Sequence, residues 1–445
     1  YKKNFLVNIL MGYKNSFLKK IKACDINISI LGMGYVGLPL ALAFSESKIK
    51  TIGIDIDQNK IESLNNGKSH INQIKDERIK NALNNYLVFT SNFEIIKNVD
   101  AIIICVPTPL DDFKKPDLRY ITQSLDSILP FTKKGQLLSL ESTTYPGTTD
   151  EVIKPMLQEK GFKIGEDFFI IYSPEREDPG NQNYNPKNIP KVLGGCTESC
   201  KEVGIELYKN VIDKIVPVSS TKTAEMTKLL ENIHRSVNIS LINELKPLLS
   251  EMDIDIYEVI NAAATKPFGF IAYYPSVGVG GHCIPVDPFY LSWKAEKLGF
   301  KTNFIDLADK VNEYMPSYVF NKSREILLSK KKILETCKVL ILGISYKKNI
   351  DDARESCSIK LLKLFTEKNI EIHYSDPYFD DFPLTRILKL NLKSISLTKE
   401  NLVTYDLVII ATDHDSFDYA LVEQESNLII DTTGRLKPSK KIFRA

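Results

Sequence analysis

No run of 18 apolar residues occurs in this 445-residue chain, so a transmembrane helix of ordinary length is not expected. A surplus of positive charge is missing too. The 58 Lys and Arg face 56 Asp and Glu, a formal net charge of +2, whereas a dedicated nucleic-acid binder normally shows a strong basic excess. Histidine is scarce, with five in all and none at i, i+4 spacing. The seven cysteines (Cys24, Cys105, Cys196, Cys200, Cys283, Cys337 and Cys357) are odd in number and scattered. Cys196 and Cys200 lack a second pair or a nearby His, so no structural metal is expected. Scattered thiols suit a reducing cytoplasm better than a disulfide framework. The first 25 residues mix lysine with apolar residues but have neither the continuous apolar core nor the small-residue cleavage site of a signal peptide. They read as a short amphipathic helix leading into the first strand.

What is present is a chain long enough for two or three domains with their own cores, 43% of it hydrophobic. "INISILGMGYVGLPLALAF" (26–44) is a β-branched run, a glycine turn and an apolar helix. "TIGIDID" (51–57), "AIIICVPTP" (101–109), "GQLLSLEST" (135–143) and "FFIIYSPE" (168–175) continue the strand pattern. Strands alternating with helical stretches predict parallel βαβ units in a doubly wound sheet. From Thr221 the period changes: Met226, Leu229, Leu230, Ile233, Val237, Leu241 and Leu245 form a helical stripe. A long helix is expected here, acting as spacer and dimerisation element. "KVLILGISY" (338–346), "EIHYSD" (371–376), "DLVIIAT" (406–412) and "NLIIDTTG" (427–434) then predict a second Rossmann-type sheet. The expected fold is α/β, two Rossmann-like doubly wound domains joined by a long central helix. The expected boundaries are 1–25 for a helical extension, 26–217 for a dinucleotide domain, 218–328 for a central helical domain and 329–445 for a C-terminal domain.

Gly32-Met33-Gly34-Tyr35-Val36-Gly37 is GxGxxG after a strand and opening a helix. Such glycines permit a tight turn and close approach of a pyrophosphate to the amides of a helix N-terminus. Asp55 ends the next strand, where an acid can hold both ribose hydroxyls and repel a 2′-phosphate, so NAD is favoured over NADP. Thr108 in "CVPTP" and Thr143 in "ESTTYPGTT" lie past strand C-terminal ends, the edge where open α/β sheets bind ligands. Cys105 reads as a core residue. Glu175 and Arg176 in "SPERED" read equally as an exposed turn pair or as site residues. Lys228 and Asn232, four apart and with Arg235 beside them, lie off the apolar stripe. A solvated face is the ordinary explanation, a buried active-site lysine the sharper one.

The stretch "YYPSVGVGGHCIPVDPFYLSW" (273–293) places Cys283 in a glycine-rich loop, four residues before Asp287. A thiolate attacks an aldehyde to give a thiohemiacetal. Loss of hydride to NAD leaves a thioester, and water organised by Asp287 and Lys228 releases an acid. A small buried residue in a turn is the alternative for an isolated cysteine, but the dinucleotide fingerprint weighs against it.

Taken together, these residues resemble the UDP-glucose/GDP-mannose dehydrogenase family. The likeness runs in order from about Asn27 to Gly434. It covers the fingerprint at 32–37, "VPTP" at 106–109, "STTYPGTT" at 142–149, "SPE" at 173–175, Lys228 and Asn232, "GGHCIPVD" at 280–287 and "YKKNIDDARES" at 346–356. It implies oxidation of a nucleotide-sugar C6 alcohol to a carboxylate with two NAD, in a homodimer formed through the central helix. By the same resemblance Cys283 is the nucleophile, Lys228 the oxyanion and proton residue with Asn232 beside it, and Asp287 the water-orienting acid. Thr143 and Glu175 help hold water and nicotinamide. Lys60 approaches the adenosine end of NAD, and Arg354 reaches NAD from the C-terminal domain. Tyr346 and Lys347 meet the substrate, with Arg176 and Arg235 as sugar or phosphate contacts and Gly280 in the substrate loop. Val286 stands where the UDP-glucose branch has Lys. "TKPFGF" (265–270) and "HCIPVDPFYLSWKA" are similar to the N-acetylhexosamine branch, although Ser276-Val277 replaces its common Gly-Pro. The expected substrate is therefore UDP-N-acetylglucosamine, with the acid feeding surface polysaccharide synthesis. UDP-glucose and UDP-N-acetylmannosamine are the rivals, and a non-catalytic nucleotide-sugar sensor is a more distant one.

Overall fold

The computed structural model describes residues 12–71, 73–176 and 187–445. They form two compact units, the first comprising residues up to Glu231 with Phe289–Gly299, the second Asn232–Pro288 with Phe300–Ala445. The amphipathic helix expected near the start spans Tyr13–Lys22, with Phe17 and Ile21 buried; residues 1–11 of that extension lie outside the described residues, as do residues 177–178 of "SPERED".

The first unit is built on eight strands: β1 (Asn27–Leu31), β2 (Lys50–Ile54), β3 (Leu87–Thr90), β4 (Ala101–Ile104), β5 (Leu137–Leu140), β6 (Phe169–Tyr172), β7 (Lys191–Gly195) and β8 (Ile215–Pro217). Their order in the sheet is β3-β2-β1-β4-β5-β6-β7-β8. All neighbours are parallel except β6 and β7, which run antiparallel. The strands are apolar on both faces because each face is covered. Ile28, Ile30, Ala101, Ile103, Phe169 and Ile171 belong to one core cluster. Their chain neighbours Leu31, Ile102, Ile104, Ile170 and Tyr172 belong to the other. This is the two-residue alternation of a doubly wound sheet. β3, β7, β8 and the antiparallel step extend the sheet beyond the strands read from sequence.

The second unit carries β9 (Lys338–Leu342), β10 (Glu371–Ser375), β11 (Leu407–Ile410), β12 (Ile429–Asp431) and β13 (Ile442–Arg444), in the order β10-β9-β11-β12-β13. Val339, Ile341, Leu407 and Ile409 face one core; Leu340, Leu342, Val408 and Ile410 face the other. Both sheets reverse strand order beside their first strand, which opens a crevice at the strand C-terminal ends.

The long central helix is Thr221–Glu251, 31 residues. Its packing corrects the sequence reading. Leu230 and Leu241 from the apolar stripe are more than half exposed, as is Leu248. Leu229 of the stripe and Ala224 are buried, but most of the buried positions are polar: Glu225, Lys228, Asn232, Ser236, Ser240, Asn243 and Lys246. Lys228 and Asn232 thus do not lie on a solvated face. Burying such groups is costly unless each finds partners, and the partners are described below.

Candidate active site

In the first unit, Gly32 follows β1 with φ +91°, and a Cβ there would sit 2.6 Å from the Cys105 carbonyl oxygen. Only glycine fits such a turn. Gly37 opens the helix Gly37–Glu46, and a Cβ there would collide with the Gly32 carbonyl. Gly34, between them, faces open space. Tyr35 and Val36 are half-buried against the core. Cys105 is buried in that core, as expected.

Asp55 stands just past β2 and is almost wholly buried. It accepts from the Met33 amide at 2.9 Å, the Asp57 amide at 3.0 Å and the Lys60 ammonium at 2.8 Å. Burial alone would push its pKa up, but Lys60 and the two amides outweigh that and hold its carboxyl below the ordinary range. An ionised acid beside an open glycine turn fits a dinucleotide with a free ribose diol. Gly32, Gly34, Gly37, Asp55 and Lys60 are thus gathered at one end of the sheet, and the residues present fit NAD.

Further along the same edge, Thr108 is half-buried and its carbonyl accepts from the Tyr290 hydroxyl at 2.6 Å. Thr143 is half-buried in the loop after β5. That loop is gripped from the central helix: Glu225 accepts from the Gly147 amide at 2.5 Å, and from the Thr149 amide and hydroxyl at 2.9 and 2.7 Å. Glu175 is not an exposed turn residue. Its Oε2 lies 3.6 Å from the Lys228 ammonium, which also donates to the Glu175 carbonyl. Burial pushes the Glu175 carboxyl up, against the pull of Lys228 and Lys191 and with repulsion from Glu141 added. Arg176 is clamped by Glu231 at 2.5 and 3.1 Å and donates to the Pro190 carbonyl at 2.7 Å.

In the second unit, the glycine loop is laid against residues that follow β9. A Cβ on Gly280 would meet the Tyr346 Cβ at 2.8 Å, and one on Gly281, where φ is +86°, would meet the Tyr346 ring at 2.8 Å. The Gly281 amide donates to the Arg354 carbonyl at 3.0 Å. The Arg354 guanidinium is held by Asp352 at 2.6 Å and meets His282 Nδ1 at 3.1 Å. Ser276 donates its amide to Asn243, whose own amide donates to Asn312, both at 2.9 Å. Val277 is buried in the core, so Ser276-Val277 anchors the loop. Lys347 is half-buried beside Tyr346.

Cys283 is half-buried, and its carbonyl accepts from the Asp287 amide at 2.8 Å. Asp287 begins the helix Asp287–Lys297, so thiol and carboxyl are one turn apart. The Asn232 side-chain amide donates to the Asp287 carboxylate, and Asn232 accepts from Arg235, whose own side chain is exposed. An acid fixed in this way beside a thiol can orient water on a thioester.

Sequence reasoning missed Glu225, Asn243 and Tyr290, which hold the loops carrying Thr143, Ser276 and Thr108. Polar residues at 225, 228, 232, 236, 243 and 246 do recur at helical spacing, which marks a helix face but not the distant loops it holds. No group of three or more His, Cys, Asp or Glu is placed to hold a metal ion among the described residues.

Residues 26–212 match the NAD binding domain of the UDP-glucose/GDP-mannose dehydrogenase family, residues 222–314 its central domain and residues 340–438 its UDP binding domain. The chain is 36% identical to a UDP-N-acetyl-D-glucosamine 6-dehydrogenase of Pseudomonas aeruginosa over 80% of this chain and 83% of that one. It is 34% identical to the protein CapL of Staphylococcus aureus over 94% and 99%. Among solved structures, a UDP-D-ManNAc dehydrogenase from Pyrococcus horikoshii superposes with a TM-score of 0.85 at 30% identity, covering 94% of this chain and 99% of that one. The chain belongs to the UDP-glucose/GDP-mannose dehydrogenase family, and it is an NAD-dependent oxidoreductase of nucleotide sugars.

Proposed function

We propose that this enzyme oxidises the C6 alcohol of a UDP-N-acetylhexosamine, UDP-N-acetylglucosamine foremost, to the uronic acid. The observation that carries the chemistry is the Cys283–Asp287 turn, with Asp287 gripped by Asn232. The substrate reading is supported by Val286 in place of Lys, and by relatives named for UDP-N-acetylglucosamine and UDP-ManNAc.

Gly32, Gly34, Tyr35, Val36, Gly37, Asp55, Lys60, Thr108, Thr143 and Arg354 are assigned to NAD, which when bound supplies a hydride acceptor for each of the two oxidations. Cys283 attacks the aldehyde carbon: a C–S bond forms and the carbonyl pair moves to oxygen. Lys228 is assigned to that oxyanion and to proton transfer. After the second oxidation Asp287, oriented by Asn232, and Glu175 direct water to the thioester. The C–S bond breaks, releasing the acid and restoring the thiol. Arg176, Arg235, Gly280, Tyr346 and Lys347 are assigned to the sugar nucleotide.

The domain division at 217 and 328, a cytoplasmic setting and a homodimer formed through the central helix belong to the same proposal. The exposed Leu230, Leu241 and Leu248 support the dimer. Among the described residues no helix is long and apolar enough to cross a membrane. The test is to count NADH by absorbance and identify the product by mass, with UDP-N-acetylglucosamine, UDP-N-acetylmannosamine and UDP-glucose run in parallel. One NADH per sugar, or an accumulating aldehyde, overturns the four-electron reaction. Preference for another sugar removes only the substrate assignment.

A further inference from the structure

Behind Glu175, within the first unit, lies a charged cluster that the reaction as described does not use. Lys191 on β7 and Glu141 just past β5 are both buried, and their charges meet at 2.8 Å. Tyr208, fully buried at the end of the helix Glu198–Tyr208, donates its hydroxyl to the other Glu141 oxygen. It also lies 3.0 Å from the Ser139 hydroxyl. The Lys191 ammonium sits 5.0 Å over the Tyr208 ring. A buried ion pair contributes little net stability compared with apolar residues of the same volume. Its presence here therefore asks for another reason.

Two observations give one. Glu141, Lys191, Glu175 and Arg176 line a single pocket of about 30 Å³. Within it, Glu175 Oε1 is buried with no hydrogen-bond partner among the described residues, while Oε2 faces Lys228. Glu175 is thus flanked by a cation from the central helix and by an ion pair from β5 and β7.

We propose that the Lys191–Glu141–Tyr208 cluster is a positioning element that governs the charge of Glu175 during the reaction. It rests on the reading of Glu175 as an active-site residue. Among the described residues the charged groups acting on Glu175 are Lys228 on the central helix, Lys191 on β7 and Glu141 after β5, with Tyr208 held on Glu141; Arg176, the next residue, is engaged by Glu231. An ionised Glu175 can accept a proton from attacking water, and a protonated one cannot. Lys191 favours the ionised form and Glu141 opposes it.

The two partners act in opposite directions, and this sets the test. Lys191→Met leaves Glu141 uncompensated, so Glu175 holds its proton to higher pH. The acid limb of the kcat profile should move up by roughly half a pH unit or more. Glu141→Gln leaves Lys191 uncompensated and should move that limb down by a similar amount. The double variant Lys191→Met/Glu141→Leu replaces the pair by apolar residues, which buried sites commonly tolerate, and its limb should fall between the two. KM for NAD should stay unchanged in all three. Glu175→Gln is run alongside. If it removes the acid limb while both single variants leave it in place or move it the same way, the cluster has no such role. If Glu175→Gln itself keeps the wild-type profile, the active-site reading of Glu175 fails, and this inference with it.

Discussion

Asp376 accepts the Ile344 amide at 2.7 Å, and this repeats in the second sheet what Asp55 does for Met33 in the first. In both, an acid just past one strand holds the loop that leaves the neighbouring strand. In both, that loop starts with a left-handed glycine, Gly32 or Gly343, pressed on a backbone carbonyl. Each sheet therefore has a preformed turn of the kind that receives a phosphate. Asp376→Ala removes buried hydrogen bonds worth about 1–3 kcal/mol and frees the segment leading to Tyr346 and Lys347. The KM for the sugar nucleotide should rise about tenfold in Asp376→Ala and in Lys347→Ala, with that for NAD little changed. Equal effects on both would remove the C-terminal sheet from substrate binding.

Cys283→Ser should abolish acid formation while both ligands still bind. An alkoxide ester is a far poorer acyl intermediate than a thioester, so kcat to the acid should fall about a thousandfold or more. Multiple turnover to acid at near the wild-type rate would show that another residue carries the acyl group.

Asp55→Ala should weaken NAD about tenfold and leave NADP unchanged or improved. The carboxylate is held ionised by Lys60 and two amides, and an ionised acid repels a 2′-phosphate. Titration of nucleotide binding by fluorescence reads this directly. A parallel loss for both cofactors would mean that Asp55 only shapes the turn.

Lys246 provides a pH test. Its ammonium is buried and donates to the Thr432 carbonyl at 3.1 Å. Burial lowers it from 10.5 to about 7, with Asp431 and Asp255 opposing and Arg444 assisting. Below pH 7 the folded and unfolded chains are both protonated, and the full cost of the buried charge is present. Between about 7 and 10.5 the unfolded chain binds the extra proton, so stability rises with pH. Melting curves from pH 6 to 9 should show this rise in the wild type and a smaller one in Lys246→Met. Identical slopes would assign the effect elsewhere.

The parallel sheets were legible because their strands are apolar on both faces and end in glycine or proline. "SILGMGYVG" and "ILGISYKKN" announce strand, turn and crevice by residue type alone. β7 and β8 were not legible. β7 runs antiparallel to β6, and a short strand such as Ile215–Pro217 carries too few residues to show a period. In the candidate site, residues with reactive groups could be nominated because their chemistry is local to the side chain. Glu225, Asn243 and Tyr290 were missed because they act on backbone atoms 78, 33 and 182 positions away, a distance no local pattern spans. The central helix was misread for a different reason. Counting leucines finds an amphipathic stripe, but not that most buried positions of this helix are polar and hold neighbouring loops.

That inversion changes how the helix tolerates substitution. In an ordinary amphipathic helix, apolar positions reject change and polar ones drift. Here Glu225, Lys228, Asn232 and Asn243 should be the intolerant positions, each bound to a group that would be left unpaired. If the proposed homodimer forms through this helix, the exposed Leu230, Leu241 and Leu248 are restrained by what a second copy of the chain covers. Saturation of these positions tests the proposed dimer along one helix: loss of folding or chemistry is expected at the polar line and loss of assembly alone at the leucines, whereas leucine variants that keep the assembly would remove this helix from it.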